Sequence, residues 1–171
     1  MPRSIVHVGR KIQVALDTET LPDGSTVRRD VVLHPGAVAV LPVIDRDHVC
    51  LLKNHRPVVG AVLWEIPAGT LEPGEPPADA AVRELAEESG YRAARWEKLA
   101  ELIPSPGVLS EVIHLYVARE LTAGTMAPEA DEQLEPITVG FEQALAWVLD
   151  GTIRDAKTMV ALLLWEKRRR G

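Results

Sequence analysis

Three glutamates stand close together in the stretch RELAEESG, at Glu84, Glu87 and Glu88. Residues three and four apart lie on the same face of an α-helix, so this spacing gathers three carboxylates on one side. Like charges at that spacing destabilise a helix by roughly 0.2–0.5 kcal/mol per pair. Hard divalent cations such as magnesium take oxygen ligands and often join carboxylates to the phosphates of a substrate. The spacing therefore predicts either a solvated acidic face or a metal site.

The helix that carries these glutamates has recognisable ends. Pro76 and Pro77 suit a first helical turn, and Gly90 is typical of the position just after the last turn. The small or apolar stripe predicted to face the core, with the glutamates pointing elsewhere, consists of Ala78, Val82, Leu85 and Ser89.

Strand-like segments come before and after this helix. Strands are predicted at residues 12–18, 26–34, 36–44, 48–54, 61–67, 97–103, 111–120 and 135–140, and two closing helices at 141–151 and 155–169. The pair Asp23-Gly24 predicts a hairpin turn between the first two strands. Strands first, one helix in the middle and helices last indicate a mixed sheet with helices on its faces.

Composition excludes several classes of function. The net charge of −6 argues against a general nucleic-acid or membrane-surface binder, and the basic end EKRRRG is interpreted as a solvated helix terminus. The N-terminus lacks the apolar stretch of a signal peptide, and the longest apolar run is far shorter than the ~20 residues that span a bilayer. A soluble cytoplasmic protein, without a nucleic-acid or membrane partner, is the expectation.

Other reactive side chains give weaker signals. Cys50, the single cysteine, lies in the apolar run HVCLL and is interpreted as a core residue. The five histidines show no paired metal-ligand spacing. No GxSxG elbow, P-loop or GxGxxG turn is present. The acidic helix is therefore the best candidate for chemistry.

The three glutamates belong to a longer pattern, GTLEPGEPPADAAVRELAEESGY, from Gly69 to Tyr91. It resembles the signature of the Nudix hydrolases, G-x5-E-x7-R-E-U-x-E-E-x-G-U, in which U is a bulky apolar residue. The fixed letters all match, at Gly69, Glu75, Arg83, Glu84, Glu87, Glu88 and Gly90. A chance match has a probability on the order of 10⁻⁹ per starting position. Tyr91 replaces an aliphatic residue but keeps the bulk. The resemblance favours the metal site over the solvated face.

The resemblance implies a role for each motif residue. The expected metal ligands are Glu84, Glu87 and Glu88, with the backbone carbonyl of Ala68, and the expected cation is Mg²⁺ or Mn²⁺. Glu87 and Arg83 are also expected to be catalytic residues, and the carboxylate that takes the proton of the attacking water lies either inside the motif or on a loop. Arg83 is expected to orient the glutamates by ion pairing, for which its planar guanidinium is suited. The remaining motif positions are expected to be structural: Glu75 as a stabilising loop carboxylate, and Gly69 and Gly90 as turn and cap residues.

The family also implies a reaction and a fold. Water attacks one phosphorus of the P–O–P bridge in a nucleoside diphosphate linked to a group X, while metal ions neutralise charge on the oxygens. The expected α/β fold is the Nudix fold, a mixed β-sheet in an α/β/α sandwich with an N-terminal β-strand extension. Residues 1–34 would form N-terminal strands exchanged between subunits, and residues 35–171 the Nudix domain.

Segments outside the motif resemble the ADP-ribose pyrophosphatase branch of the family. These are NHRPVVGAVLWEIPAGTLEPGE and SPGVLSE, in which Pro106 matches a marker of the branch. The usual form of the second segment is S-P-G-F-T-D-E, so Val108-Leu109-Ser110 departs from it, whereas Glu111 is kept as a candidate substrate contact. The resemblance implies hydrolysis of ADP-ribose, or a related nucleoside diphosphate sugar, to AMP and ribose 5-phosphate or another sugar phosphate.

In that branch a homodimer places arginines from both chains on the nucleotide. Arg56 matches the arginine before the motif, and Arg28, with Asp30 as a weaker contact, is the candidate from the exchanged strand. Each of these arginines could instead be a solvated surface charge. The branch also carries an extra catalytic glutamate in a late loop. Glu132 takes that position as general base or water-positioning residue, and the nearby alternatives are Glu129, Asp131 and Glu135.

Other functions fit the same motif. The group X could belong to GDP-mannose, a dinucleoside polyphosphate or an oxidised nucleoside triphosphate. An inactive nucleotide sensor would be expected to lose motif glutamates, and all are present here. An RNA-decapping role is disfavoured by the acidic charge balance.

Overall fold

A computed structural model describes residues 3–128 and 132–170. The strands are β1 (Arg3–Val8), β2 (Gln13–Thr20), β3 (Thr26–Leu33), β4 (Ala37–Pro42), β5 (His48–Arg56), β6 (Ala61–Glu65), β7 (Ala68–Thr70), β8 (Tyr91–Leu102), β9 (Ile113–Ala123) and β10 (Leu134–Gly140). The helices are α1 (Pro77–Ser89), α2 (Phe141–Leu149) and α3 (Ala156–Arg170). A short 3₁₀ turn at Pro57–Val59 joins β5 to β6.

The centre of the molecule is a mixed sheet with the strand order β7-β4-β9-β8, in which β4 and β9 run parallel. Every residue of β4 is buried, as expected for a strand covered on both faces. Val38 and Val40 pack with Leu85 of α1, whereas Ala39 and Leu41 pack with Leu162 of α3. The helices therefore cover opposite faces, which confirms the predicted α/β sandwich.

A second, antiparallel sheet, β10-β5-β6, adjoins the first. The Val40 amide donates a hydrogen bond to the Pro67 carbonyl (2.8 Å) between β6 and β7. Strand β6 of the second sheet ends at Glu65, and β7 of the mixed sheet begins only three residues later, at Ala68. This junction brings the ends of β5 and β6 beside the N-terminus of α3 and the acidic face of α1.

The N-terminal strands form a separate antiparallel sheet, β1-β2-β3. Its hairpin turn lies where Asp23-Gly24 predicts it: the Asp23 carboxylate accepts the Ser25 amide (2.9 Å), and Gly24 has a φ of 82° that suits glycine. Hydrogen bonds between the backbone of Val32 and the backbone of Val108 (2.7 Å) and Ser110 (2.9 Å) tie this sheet to the loop before β9.

Three strand predictions differ from the structure. Strand β1 was not predicted because its residues are all exposed and show no buried alternation. Strand β7 has only three residues, too few for a periodic signal. Strand β8 begins at Tyr91 rather than at residue 97. Its first half has no buried residue that would give a periodic signal, and it is held by pairing with the far end of β9. The core position of Cys50 is confirmed, and burial raises the pKa of its thiol to about 11.

Candidate active site

Helix α1 buries part of the predicted face, at Leu85 and Ser89, and two of its carboxylates in addition. Ala78 is exposed and Val82 is 46% exposed, whereas Glu84 and Glu88 are only 8% and 2% exposed. The buried residues of the helix are Ala80, Ala81, Glu84, Leu85, Glu88 and Ser89. Two of the carboxylates therefore point toward the sheet, where the backbone of β7 and the Arg83 side chain supply hydrogen-bond donors.

Glu88 lies deepest of the motif glutamates. Its Oε2 accepts a hydrogen bond from the Ala68 amide at 2.8 Å. Burial raises the pKa of Glu88 to about 8, and the nearby charges of Glu84 and Glu132 act in the same direction against that hydrogen bond. The ionised form of Glu88 is therefore disfavoured unless a positive charge lies beside it.

Arg83 joins three carboxylates in one network. Its guanidinium donates to both oxygens of Glu75 at 2.9 Å each, which is a bidentate pair. Its Nη1 also donates to Glu84 at 2.6 Å and to Glu87 at 3.1 Å. Burial raises the pKa of Glu84 above its ordinary value despite this pairing, whereas the Arg83 hydrogen bonds lower the pKa of Glu75. Arg83 thus holds the side-chain positions of Glu84 and Glu87.

Gly69 has a different role from the turn expected of it. It lies within β7, and a Cβ atom built on it would overlap the Glu84 carboxylate. A side chain at this position would therefore push the Glu84 carboxylate aside, because the carboxylate lies directly against the strand backbone. Gly90, by contrast, ends α1 with a φ of 73°, as a cap residue does.

We expect Gly69→Ala to displace the Glu84 carboxylate and to lower hydrolytic activity at least about tenfold. Overpacking of this kind lowers the free energy of unfolding by about 1–3 kcal/mol. Gly140→Ala is the matched control, since its Cβ would meet its nearest neighbour, Gln143 Cβ, at 3.9 Å. Urea unfolding and a steady-state assay of both variants would measure the two effects. Full activity in Gly69→Ala would contradict the proposed importance of the Glu84 position.

A cavity of about 750 Å³ opens over this acidic face. The residues from the sequence prediction that line it are Ala68, Gly69, Arg83, Glu84, Arg56, Glu111 and Glu132. The structure thus brings together residues from β5, β7, α1 and two loops. The other predicted site residues do not line it: Glu87, Glu88, Arg28 and Asp30. Arg28 and Asp30 are exposed on β3 in the single chain.

Glu132 is the described late-loop carboxylate that lines the cavity, and its charge contributes to the raised pKa of both Glu84 and Glu88. Glu135 points elsewhere: it is exposed on β10, 3.9 Å from the Lys53 ammonium. The alternatives Glu129 and Asp131 lie outside the described residues.

Five further charged residues that line the cavity were not predicted. Arg10 and Lys11 come from the turn between β1 and β2, Glu72 from the loop after β7, and Asp155 and Lys157 from the start of α3. The sequence pattern predicted the start of α3 near residue 155. No local signal indicated that this start lies beside Glu65, which is 92 positions before Lys157 in the chain.

Comparison with known proteins decides the family. The NUDIX domain pattern matches residues 33–162, most of the chain. The chain belongs to the Nudix family. Two relatives cover 92% of this Nudix chain and 86% of their own length. One, from Bacillus methanolicus, is named methanol dehydrogenase activator and is 38% identical. The other, from Bacillus subtilis, is named ADP-ribose pyrophosphatase and is 39% identical.

The Nudix fold is also shown by a solved structure. A crystal structure described as an ADP compounds hydrolase superposes with a TM-score of 0.88 at 22% identity, covering 100% of this chain and 93% of the other. At that identity the likeness shows the fold alone. In residues 3–128 and 132–170, no helix is both long enough and apolar enough to cross a membrane.

Nudix hydrolases generally use divalent metal ions. No three His, Cys, Asp or Glu side chains among the described residues are already assembled as a metal site. In the structure, Arg83 donates hydrogen bonds to Glu84 and Glu87. The donor set nevertheless fits a divalent cation. Two carboxylates, on Glu84 and Glu88, are buried beside each other with raised pKa values and supply the hard oxygen ligands that such ions take.

Proposed function

We propose that this Nudix hydrolase cleaves the diphosphate bond of ADP-ribose to give AMP and ribose 5-phosphate. The observation that carries the proposal is the buried pair Glu84 and Glu88 beneath a cavity whose wall also presents the Arg56 guanidinium. An anionic diphosphate can lie between a metal-holding acidic floor and such a cation. The relative from Bacillus subtilis supports the choice of ADP-ribose.

The proposed metal ligands are Glu84, Glu87 and Glu88 with the carbonyl of Ala68, and the proposed cation is Mg²⁺ or Mn²⁺. When bound, the cation neutralises charge on the phosphate oxygens and favours ionisation of water. Arg83 holds the carboxylates in place through the contacts given above.

Glu132 is the proposed general base. It lines the cavity close enough to the metal ligands to affect their ionisation. Water attacks one phosphorus, its proton passes to the Glu132 carboxylate, and the bond from that phosphorus to the bridging oxygen breaks. The bridging oxygen leaves with the other phosphate.

Arg56 and Glu111 are the proposed substrate contacts within one chain. Arg56 is held rigidly, since its Nε and Nη2 donate to the two oxygens of buried Glu65 at 2.9 and 2.6 Å. Glu111 also lines the cavity, 3.6 Å from the ring nitrogen Nδ1 of His34. A carboxylate there suits the hydroxyl groups of a ribose.

We propose that a homodimer completes the site, with Arg28 and Asp30 reaching the cavity of the partner subunit. In the single chain both are exposed, and β1 carries exposed apolar side chains at Ile5, Val6 and Val8 that a second copy would cover. Residues 1–34 would then be the exchanged element. A cytoplasmic location stays a prediction.

We expect light scattering to give a dimer and Arg28→Ala to raise the KM for ADP-ribose about tenfold, as loss of a charged hydrogen bond does. Arg29→Ala is the matched control, because Arg29 is exposed beside Arg28 and pairs with Glu19 of its own sheet (3.1 Å). A monomer at assay concentration, or an unchanged KM for Arg28→Ala, would remove Arg28 from the site.

The substrate is tested by incubating the protein and Mg²⁺ with ADP-ribose, GDP-mannose, NADH, diadenosine polyphosphates and an oxidised guanosine triphosphate, and separating the products by chromatography. The proposal predicts the highest kcat/KM for ADP-ribose, with AMP and ribose 5-phosphate as products. A higher kcat/KM for another compound would keep the metal-dependent reaction and reject ADP-ribose, and Val108-Leu109-Ser110 would be the first residues to exchange.

A further inference from the structure

Lys157 lies in an unfavourable place for a cation. It is in the first turn of α3, and its side chain is only 13% exposed. The positive end of the helix dipole disfavours a lysine there, where acidic residues are normally favoured. The position therefore needs compensating partners, and it gains two.

Both partners of Lys157 are carboxylates. Its Nζ lies 2.9 Å from Glu65 Oε2 and 2.9 Å from Asp155 Oδ1. The other oxygen of Asp155 accepts the amide of Thr158 at 3.0 Å, which caps the helix. The ammonium group is thus held at a defined point on the cavity wall.

Glu65 connects Lys157 to Arg56. It is 2% exposed at the end of β6 and accepts hydrogen bonds from both cations. Burial acts against its charged form, but the Arg56 hydrogen bonds and the charge of Lys157 keep the pKa of Glu65 below its ordinary value. One buried carboxylate therefore holds two cations, from β5 and α3, side by side.

The two cations have donors left for a ligand. An ammonium has three N–H donors and a guanidinium has five, and the contacts with Glu65 and Asp155 use two of each. Both side chains line the cavity. Docking of α3 also has contacts that do not involve Lys157, because Thr158 Oγ1 accepts the Ile66 amide (2.9 Å) and Leu162 is fully buried.

We infer that Lys157 is a phosphate-binding residue that, with Arg56, forms a cationic wall for the diphosphate of the substrate, opposite the acidic face of α1. Glu65 is the positioning residue of this wall. The inference rests on the proposed function, because the proposed substrate contains the diphosphate. It adds Lys157 of α3 to the residues that bind this diphosphate.

Calorimetry with inorganic pyrophosphate and Mg²⁺ tests diphosphate binding without a nucleotide or turnover. We expect Lys157→Met to raise the Kd at least about tenfold, as removal of a charged hydrogen bond does. Lys157→Arg, which keeps the charge, should bind within about threefold of wild type. Lys167→Met, the same change at an exposed position in the last turn of α3, should bind as wild type does.

Steady-state kinetics with ADP-ribose should show the same ranking as a raised KM with a smaller change in kcat. If Lys157→Met fails to fold by circular dichroism, Lys157→Gln is compared in its place under the same criteria. A pyrophosphate Kd within about twofold of wild type in the folded variant, or no pyrophosphate binding by wild type, would overturn the inference. Pyrophosphate binding that depends on Lys157, without ADP-ribose hydrolysis by wild type, would support it and contradict the proposed function.

Discussion

Glu88→Gln is expected to lower kcat for ADP-ribose by about 10³-fold, because it removes a charged ligand from a cation that contributes several kcal/mol to the transition state. The fold should stay intact or become more stable. Glu88 is 2% exposed, and a neutral amide costs less to bury than a carboxylate. The amide oxygen can still accept the Ala68 amide that Glu88 now binds at 2.8 Å.

A fall in kcat together with unchanged or higher stability in Glu88→Gln would distinguish a functional carboxylate from a structural one. The measurements are kcat with saturating Mg²⁺, thermal unfolding without metal, and Mn²⁺ affinity by calorimetry. Near-normal turnover, or a large fall in the unfolding temperature with metal affinity unchanged, would show that Glu88 serves the fold and not the cation.

Glu132→Gln is expected to lower kcat by at least about 10²-fold, the low end for loss of a general base. Its KM and unfolding temperature should change little, because glutamine keeps the size and the acceptor oxygen. Glu135→Gln is the matched control: the same change three residues later, on a side chain that is exposed and does not line the cavity.

The ratio of the two variants' turnover numbers is the decisive readout. Equal turnover in Glu132→Gln and wild type would exclude Glu132 as the base. An equal fall in both variants would indicate that turnover depends on the negative charge of this region in general and would contradict a specific role of Glu132 as the base.

The sequence contained most of the information about the acidic helix. The spacing of Glu84, Glu87 and Glu88 and the ends at Pro77 and Gly90 predicted the helix and its grouped carboxylates, because both are local properties. The mixed sheet also followed from the order of strands and helices.

Periodicity predicted only part of the buried side of α1, at Leu85 and Ser89. Hydrophobic patterns assume that carboxylates face water, whereas Glu84 and Glu88 turn inward to a glycine-lined strand and a backbone amide. The contact that reveals the reason, Gly69 against Glu84, exists only after β7 has paired with β4.

The cationic wall formed by Arg56 and Lys157 could not be predicted from the sequence either. Glu65 and Lys157 are separated by 92 positions along the chain. Glu65 lies in a segment that resembles the family, but nothing in the sequence links it to Lys157, which belongs to no recognisable motif. In the sequence alone Lys157 is an ordinary charge near a helix start. Its importance appears only when β6 and α3 meet at the cavity.

The most direct test of the account is the metal dependence of ADP-ribose hydrolysis. Metal-free protein, prepared with EDTA, would be assayed for AMP and ribose 5-phosphate while Mg²⁺ is added back in steps. We expect no turnover without metal. Turnover should recover and then saturate as Mg²⁺ is added, with AMP and ribose 5-phosphate formed in equal amounts. Turnover that continues in excess EDTA, or none at any Mg²⁺ or Mn²⁺ concentration, would contradict it.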